Sequence, residues 1–163
     1  SIFHEFTALE NVALAVQAHD SHSFHFWRPV KEDKKLNTPA QAALDLVGLG
    51  GRANVLASSL SHGEHRQLEI AMALATKPKL LLLDEPMAGM GAEETLRIVE
   101  ILKSLKGEQT ILLIEHDMDA VFALADEITV LVYGSVIASG TEDEIRGNQA
   151  VKLAYLGDEG AAF

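Results

Sequence analysis

Residues 60–86 read LSHGEHRQLEIAMALATKPKLLLLDEP, and this stretch decides the fold of the chain. Ser61 and Glu64 have the spacing of a capping box, which predicts that a helix begins here. Gly63 lets the backbone pass close to another group. Amide hydrogens, a hydroxyl and a glycine at a helix start suit an anion such as phosphate. A capped helix that binds nothing is the commoner meaning of such a pattern.

The four leucines at 80–83 predict a strand buried on both faces, as in a parallel sheet covered by helices. Asp84 and Glu85 follow at its carboxyl end, where open α/β sheets bind ligands. Successive side chains point to opposite sides of a strand, so one carboxylate can order magnesium through water while the other faces a nucleophilic water. The alternative is a charged pair that only ends a core strand at a solvated loop.

Composition narrows the class of protein. The chain has 163 residues with 48% hydrophobic content, enough for one core of ordinary size. A net charge of -11 and the lack of a Lys/Arg cluster predict no nucleic-acid partner. The absence of cysteine excludes disulfides and thiolate metal sites. The apolar runs are shorter than the roughly 18–20 residues of a membrane span, so any membrane role requires docking through other proteins.

Residues 17–37 form a polar loop insert that contains three histidines and the single tryptophan. Histidines at 19, 22 and 25 do not gather on one helix face, and no carboxylates complete a shell, so we do not expect a metal site there. Phe24, Phe26 and Trp27 are expected either to pack against a partner or to cover the helical part of the chain.

The remaining elements follow from caps and periodicity. Thr7 with Glu10 begins a first helix, and Thr38 with Pro39 begins a second, which glycines at 48, 50 and 51 end. A helix over 92–106 is expected to bury Leu96, Val99, Ile101, Leu102 and Leu105. Strands at 110–114, 127–132 and 135–139 and a helix at 118–125 follow, and the alternation after position 79 predicts a parallel sheet.

In this order and spacing, LSHGE, the helix after it, LLLLDEP, MAGMGAEE and LLIEHD resemble the signature motif, Walker B motif, D-loop and switch-histidine loop of an ATP-binding cassette (ABC) ATPase. The resemblance implies an incomplete P-loop NTPase-like α/β fold with a parallel sheet. Residues 1–78 would be the α-helical signature subdomain with the insert at 17–37, and 79–163 the C-terminal part of the RecA-like ATPase core. Within the superfamily, the insert and the closing SGTEDEIRGNQAVKLAYLGDE look most like branched-chain amino-acid (LIV-type) importer ATPase subunits.

The resemblance assigns catalytic roles and the two cofactors, ATP and Mg²⁺. Asp84 would hold Mg²⁺ through water, Glu85 would polarise the attacking water, and His116 would contact the γ-phosphate. We expect these three residues to converge at one rim of the sheet.

The signature residues are implied to act across a head-to-tail dimer. Ser61, His62, Gly63 and Glu64 would meet the γ-phosphate of ATP held by the second subunit. His62 replaces the glycine of the commonest signature, so its side chain must point away from the phosphate or narrow the site. Gly91 stands at the D-loop position that usually carries aspartate, which argues against coupling through that carboxylate.

The family also implies partners and a location. The implied partners are a second ABC ATPase subunit, membrane permease subunits and, indirectly, a solute-binding protein. The implied location of this chain is the cytoplasmic face of the plasma membrane. Branched-chain amino acids are the expected cargo; urea, another amino acid or a lipid are alternatives, as is a truncated cassette that only mediates interactions.

Three family features have no counterpart here. No G-x-x-x-x-G-K-[ST] motif occurs, and the Q-loop glutamine and the adenine-stacking aromatic are also missing. We therefore expect the C-terminal part of a longer ATPase, which does not bind ATP at a site of its own and is inactive alone. Without the Walker A strand, which the family places between strands 110–114 and 127–132, an open apolar sheet edge prone to self-association is expected.

Overall fold

The computed structural model describes residues 1–19 and 33–156. The chain folds into two compact units, Ser1–Ile114 and Glu115–Phe163. The subdomain boundary expected at 78/79 stays a prediction. The aromatic residues and most histidines of the 17–37 insert lie outside the described residues. No described helix combines the length and apolar character needed to cross a bilayer.

Three helices of the first unit pack on one another: α1 (Ala8–His19), α2 (Lys34–Leu46) and α3 (His62–Ala75). Val12, Leu44 and Leu68 are fully buried between them. The expected capping box of α1 is confirmed, because the Thr7 amide donates to Glu10 Oε2 at 2.8 Å and the Glu10 amide donates to Thr7 Oγ1 at 3.2 Å. Two short 3₁₀ turns, Gly50–Arg52 and Ala57–Ser59, lead from α2 to α3.

The predicted start of α2 at Thr38 and Pro39 is wrong. The helix begins four residues earlier, because the Asp33 carboxylate accepts a hydrogen bond from the Lys35 amide at 2.9 Å and caps it. Pro39 therefore lies inside the helix, where its missing N–H leaves the helix one hydrogen bond short. The end is as expected, since Gly48 adopts a φ of 77° just beyond the last turn.

A parallel strand pair forms the sheet of the first unit. β1 (Leu80–Asp84) pairs with β2 (Thr110–Ile114) in a register that sets Asp84 beside Ile114. Helix α4 (Ala92–Leu105) connects them, as a parallel crossover requires. The predicted α/β character is thereby confirmed.

Burial on both faces of this pair was the wrong expectation. Leu81 is 3% exposed, whereas Leu82 on the opposite face is 60% exposed. Leu80, Leu112 and Ile114 share that uncovered face, because side chains alternate along a strand and the described chain covers one side only. We call these four residues, Leu80, Leu82, Leu112 and Ile114, the open leucine face.

The buried stripe of α4 also differs at one position. Leu96 is 64% exposed, and Ile98 takes its place because it lies three and four residues before Ile101 and Leu102. Val99 and Leu105 are buried as expected.

The second unit contains α5 (Met118–Leu124), β3 (Ile128–Val132), β4 (Ser135–Gly140), α6 (Glu142–Gly147) and α7 (Gln149–Leu156). β3 and β4 pair antiparallel through a two-residue turn, Tyr133 and Gly134, both with positive φ. Ile128, Val130, Ile145 and Val151 form its core. The described strands thus make two sheets, β1–β2 and β3–β4, and not one parallel sheet, since the tight turn returns β4 directly onto β3. A missing strand between β2 and β3 stays a prediction.

Candidate functional site

Helix α3 begins at the predicted capping box. The Ser61 amide donates to Glu64 Oε2 at 2.8 Å, and the Glu64 amide donates to Ser61 Oγ at 3.2 Å. No described residue accepts a hydrogen bond from the amides of His62 or Gly63. Because these N–H groups lie at the positive end of a 14-residue helix, they are open to an anion.

The side chain of His62 turns toward the loop that follows β1. Its Nε2 lies 3.3 Å from the carbonyl oxygen of Ala88, a distance at which the Nε2–H tautomer donates. The ring thus packs against the loop and not across the start of its own helix. Of the two alternatives for this histidine, the contact supports a side chain that points away from an anion bound there.

Asp84 ends β1, and Glu85 begins the loop after it with an unusual backbone. Glu85 has a φ of 44°, in the left-handed region that non-glycine residues seldom adopt. Its amide donates to the Ile114 carbonyl at 2.9 Å, which ties the turn to the end of β2. Both acidic residues are exposed. The strained residue sits at the carboxyl end of a parallel strand, where such strain is associated with function.

The loop from Glu85 closes at Gly91, the N-cap of α4. Glu94 Oε2 accepts a hydrogen bond from the Gly91 amide at 3.3 Å. Gly91 has an ordinary φ of −76°, so its backbone conformation does not require glycine. Sequence reasoning missed Glu94, although the three-residue spacing after the helix cap is the same signal that identified Glu64.

His116 lies in the second unit, two residues past the end of β2. Its side chain is 73% exposed, and its amide donates to Glu115 Oε2 at 3.2 Å. Asp117 follows as the cap of α5, accepting hydrogen bonds from the amides of Asp119 and Ala120. Convergence of His116 with Asp84 and Glu85 stays a prediction.

The described residues contain no cluster of three or more His, Cys, Asp or Glu that would by itself hold a metal. A lone carboxylate that binds through water fits Mg²⁺, which keeps several waters and takes few protein ligands. Asp84 is exposed at the end of β1, and its role as the Mg²⁺ residue stays a prediction.

Comparison with known proteins agrees with these features. A family model described as ABC transporter matches residues 1–88, and one described as branched-chain amino acid ATP-binding cassette transporter matches residues 135–161. The high-affinity branched-chain amino acid transport ATP-binding protein BraF of Pseudomonas aeruginosa is 38% identical over 164 residues. That match takes in 96% of this chain and 64% of BraF, so the chain spans less than two thirds of this relative.

Solved structures give the same assignment. The ADP conformation of an ATP-binding cassette of an ABC transporter superposes with a TM-score of 0.76 at 28% identity, covering 94% of this chain and 64% of that one. A dimeric post-hydrolysis cassette bound to ADP and Pi gives a TM-score of 0.69 at 25% identity, with 86% and 59% covered. The shared fold and a family match over more than half of the residues show that the chain belongs to the ABC transporter family.

Proposed function

We propose that this chain is the C-terminal part of an ATP-hydrolysing subunit of an ABC importer. The observation that carries the proposal is the end of β1, where Asp84 and Glu85 are exposed and Glu85 has a left-handed backbone tied to the end of β2. Asp84 would hold Mg²⁺ through water. Glu85 would orient and polarise the water that attacks the γ-phosphate, while His116 contacts that phosphate.

The start of α3 supplies the other half of a site, in trans. The open amides of His62 and Gly63, together with the Ser61 hydroxyl, would bind the γ-phosphate of ATP held by a second subunit, with Glu64 fixing the helix start. The chain alone has no G-x-x-x-x-G-K-[ST] motif to hold the β- and γ-phosphates. It therefore neither binds ATP at a site of its own nor hydrolyses it.

The remaining partners follow from this role. A second ABC ATPase subunit completes the ATP sites. ATP hydrolysis drives transport through membrane permease subunits, to which a solute-binding protein delivers the cargo. The subunit would sit at the cytoplasmic face of the plasma membrane, held there by the permease. A net charge of -11 argues against a nucleic-acid partner.

Branched-chain amino acids are the proposed cargo. The support is the likeness to BraF along nearly the whole chain and a second family match at residues 135–161. Cargo is selected by the permease and the solute-binding protein, so urea, another amino acid or a lipid are the competing cargos.

A non-hydrolysing interaction module is the competing class. To separate the two, we would measure magnesium-dependent ATP hydrolysis by the longer parent protein carrying Glu85→Gln. The proposal expects ATP to bind but hydrolysis to fall by about 10²-fold or more. Glu108→Gln, with the same change of charge on an exposed residue beyond α4, is the matched control. Hydrolysis that survives Glu85→Gln removes Glu85 from the mechanism.

A further inference from the structure

A carboxylate of α4 lies directly against the start of α3. A Cβ atom built on Gly63 would be 2.5 Å from Glu94 Oε1 and 2.7 Å from the Glu94 carboxyl carbon. The glycine at position 63 is therefore what lets this side chain approach so closely. Ser61, Gly63 and Glu94 line one small cleft, which also includes Glu64, Gln67, Arg97 and Ile98.

The charge of Glu64, the other carboxylate at this helix start, is compensated. Glu64 Oε1 forms an ion pair with Arg52 Nε at 3.1 Å, and Glu64 Oε2 accepts from the Ser61 amide. Among the described residues, Glu94 accepts a hydrogen bond from the Gly91 amide alone, at 3.3 Å. It has no cationic partner in the part of the chain that the structure describes. It is therefore an uncompensated negative charge next to Gly63 at the start of α3.

An anion at the amides of His62 and Gly63 would meet this charge. Two negative groups a few ångströms apart repel each other, and the helix start that would attract a phosphate attracts the Glu94 carboxylate in the same way. Arg97 lies three residues further along α4, within reach of Glu94 on the same helix face, and forms no ion pair with another described residue. The carboxylate thus has a second position available when it leaves Gly63.

We propose that Glu94 is a built-in electrostatic competitor at the start of α3, whose carboxylate lies against Gly63 and must move aside before the incoming γ-phosphate binds. This rests on the proposed function, in which the start of α3 binds the γ-phosphate in trans. Glu94 is then a residue that sets affinity and does not touch the reacting atoms. Its removal makes the helix start more receptive to anions without changing the fold.

The test is a titration of the purified 163-residue chain with inorganic tripolyphosphate, followed by the amide NMR signals of His62 and Gly63. Glu94→Gln keeps the shape of the side chain and an oxygen for the Gly91 amide but removes the charge. We expect Glu94→Gln to bind about fivefold more tightly than the unaltered chain at low salt, the effect of one unit charge a few ångströms away in water. The difference should shrink as salt is added.

Glu93→Gln is the matched control, because Glu93 is exposed in the same first turn and the net charge changes equally. The inference requires Glu93→Gln to bind as the unaltered chain does. Equal affinity of Glu94→Gln and the unaltered chain overturns it, as does an equal gain in both variants or the lack of any response in Glu94→Gln. Failure of the proposed function is recognised separately, by hydrolysis in the parent protein that survives Glu85→Gln.

Discussion

The ring of His62 connects the first turn of α3 with the loop after β1, its Nε2 lying 3.3 Å from the Ala88 carbonyl oxygen. A signature-like helix start and a D-loop-like segment are therefore joined by one side chain within a single chain. Glycine, the usual residue at this signature position, cannot make such a link. Gly91 offers no carboxylate for coupling, and the His62 contact provides a hydrogen bond between the two segments in the described part of the chain.

Removing this link should slow the parent ATPase. We expect His62→Gly to lower kcat by about three- to tenfold, because one hydrogen bond of about 1 kcal/mol holds the loop in place. ATP affinity should change less than kcat. His19→Ala, at the exposed end of α1, is the control. A kcat for His62→Gly equal to that of the control would show that the contact has no role in turnover.

The open leucine face should make the isolated chain self-associate. Leu82 and Leu112 are register partners, and both are more than half exposed. When two copies associate through this face, apolar surface is removed from water. Each Å² that is buried stabilises the dimer by roughly 25 cal/mol. We expect sedimentation velocity to show concentration-dependent association that the double variant Leu82→Ser with Leu112→Ser reduces.

Leu96→Ser is the control that distinguishes loss of the open leucine face from loss of any exposed leucine. Leu96 is as exposed as Leu82 but lies on α4, away from the face. Its replacement should leave association unchanged. A chain that stays monomeric at all concentrations, or a Leu96 variant that dissociates equally, would contradict the prediction.

Glu144 should give the second unit a stability that depends on pH. Hydrogen bonds from the Thr141 backbone amide and then from its hydroxyl lower the pKa of Glu144 below its usual 4.5. A carboxyl group whose pKa is lower in the folded state stabilises that state above its unfolded pKa. This contribution is lost as the pH falls through the lowered value.

Glu144→Gln should therefore lower the thermal midpoint at pH 7 and lose that effect as the pH falls through the lowered pKa of Glu144, where the unaltered chain becomes protonated as well. Asp143→Asn changes the same charge in the same helical turn and serves as the control. A midpoint difference that is constant from neutral pH into strong acid would contradict the assignment.

Local rules predicted much of this molecule. The capping boxes at Thr7 and Ser61 and the strand at Leu80–Asp84 follow from spacing and from a leucine run, and both signals act over only a few residues.

The predictions failed where the structure depends on contacts beyond the local sequence pattern. Burial of both faces of β1 requires other elements to pack on each face of the sheet. The leucine run alone does not show whether such elements are present. Pro39 is a favoured first residue of a helix, but the helix begins earlier because Asp33, six residues before Pro39, caps it. Glu94 was missed because its contact with Gly63 joins two helices that are far apart in sequence.

The central claim is that the capped turn at Ser61 and the acids at the tip of β1 belong to different halves of one site. Two variants of the parent ATPase, Ser61→Arg and Glu85→Gln, should each be nearly inactive when homodimeric. Mixing them in equal amounts with subunit exchange should restore about one quarter of the unaltered rate, because half of the dimers then hold one intact site of two. If the mixture stays as inactive as either variant alone, the two halves lie in the same protomer and the account is wrong.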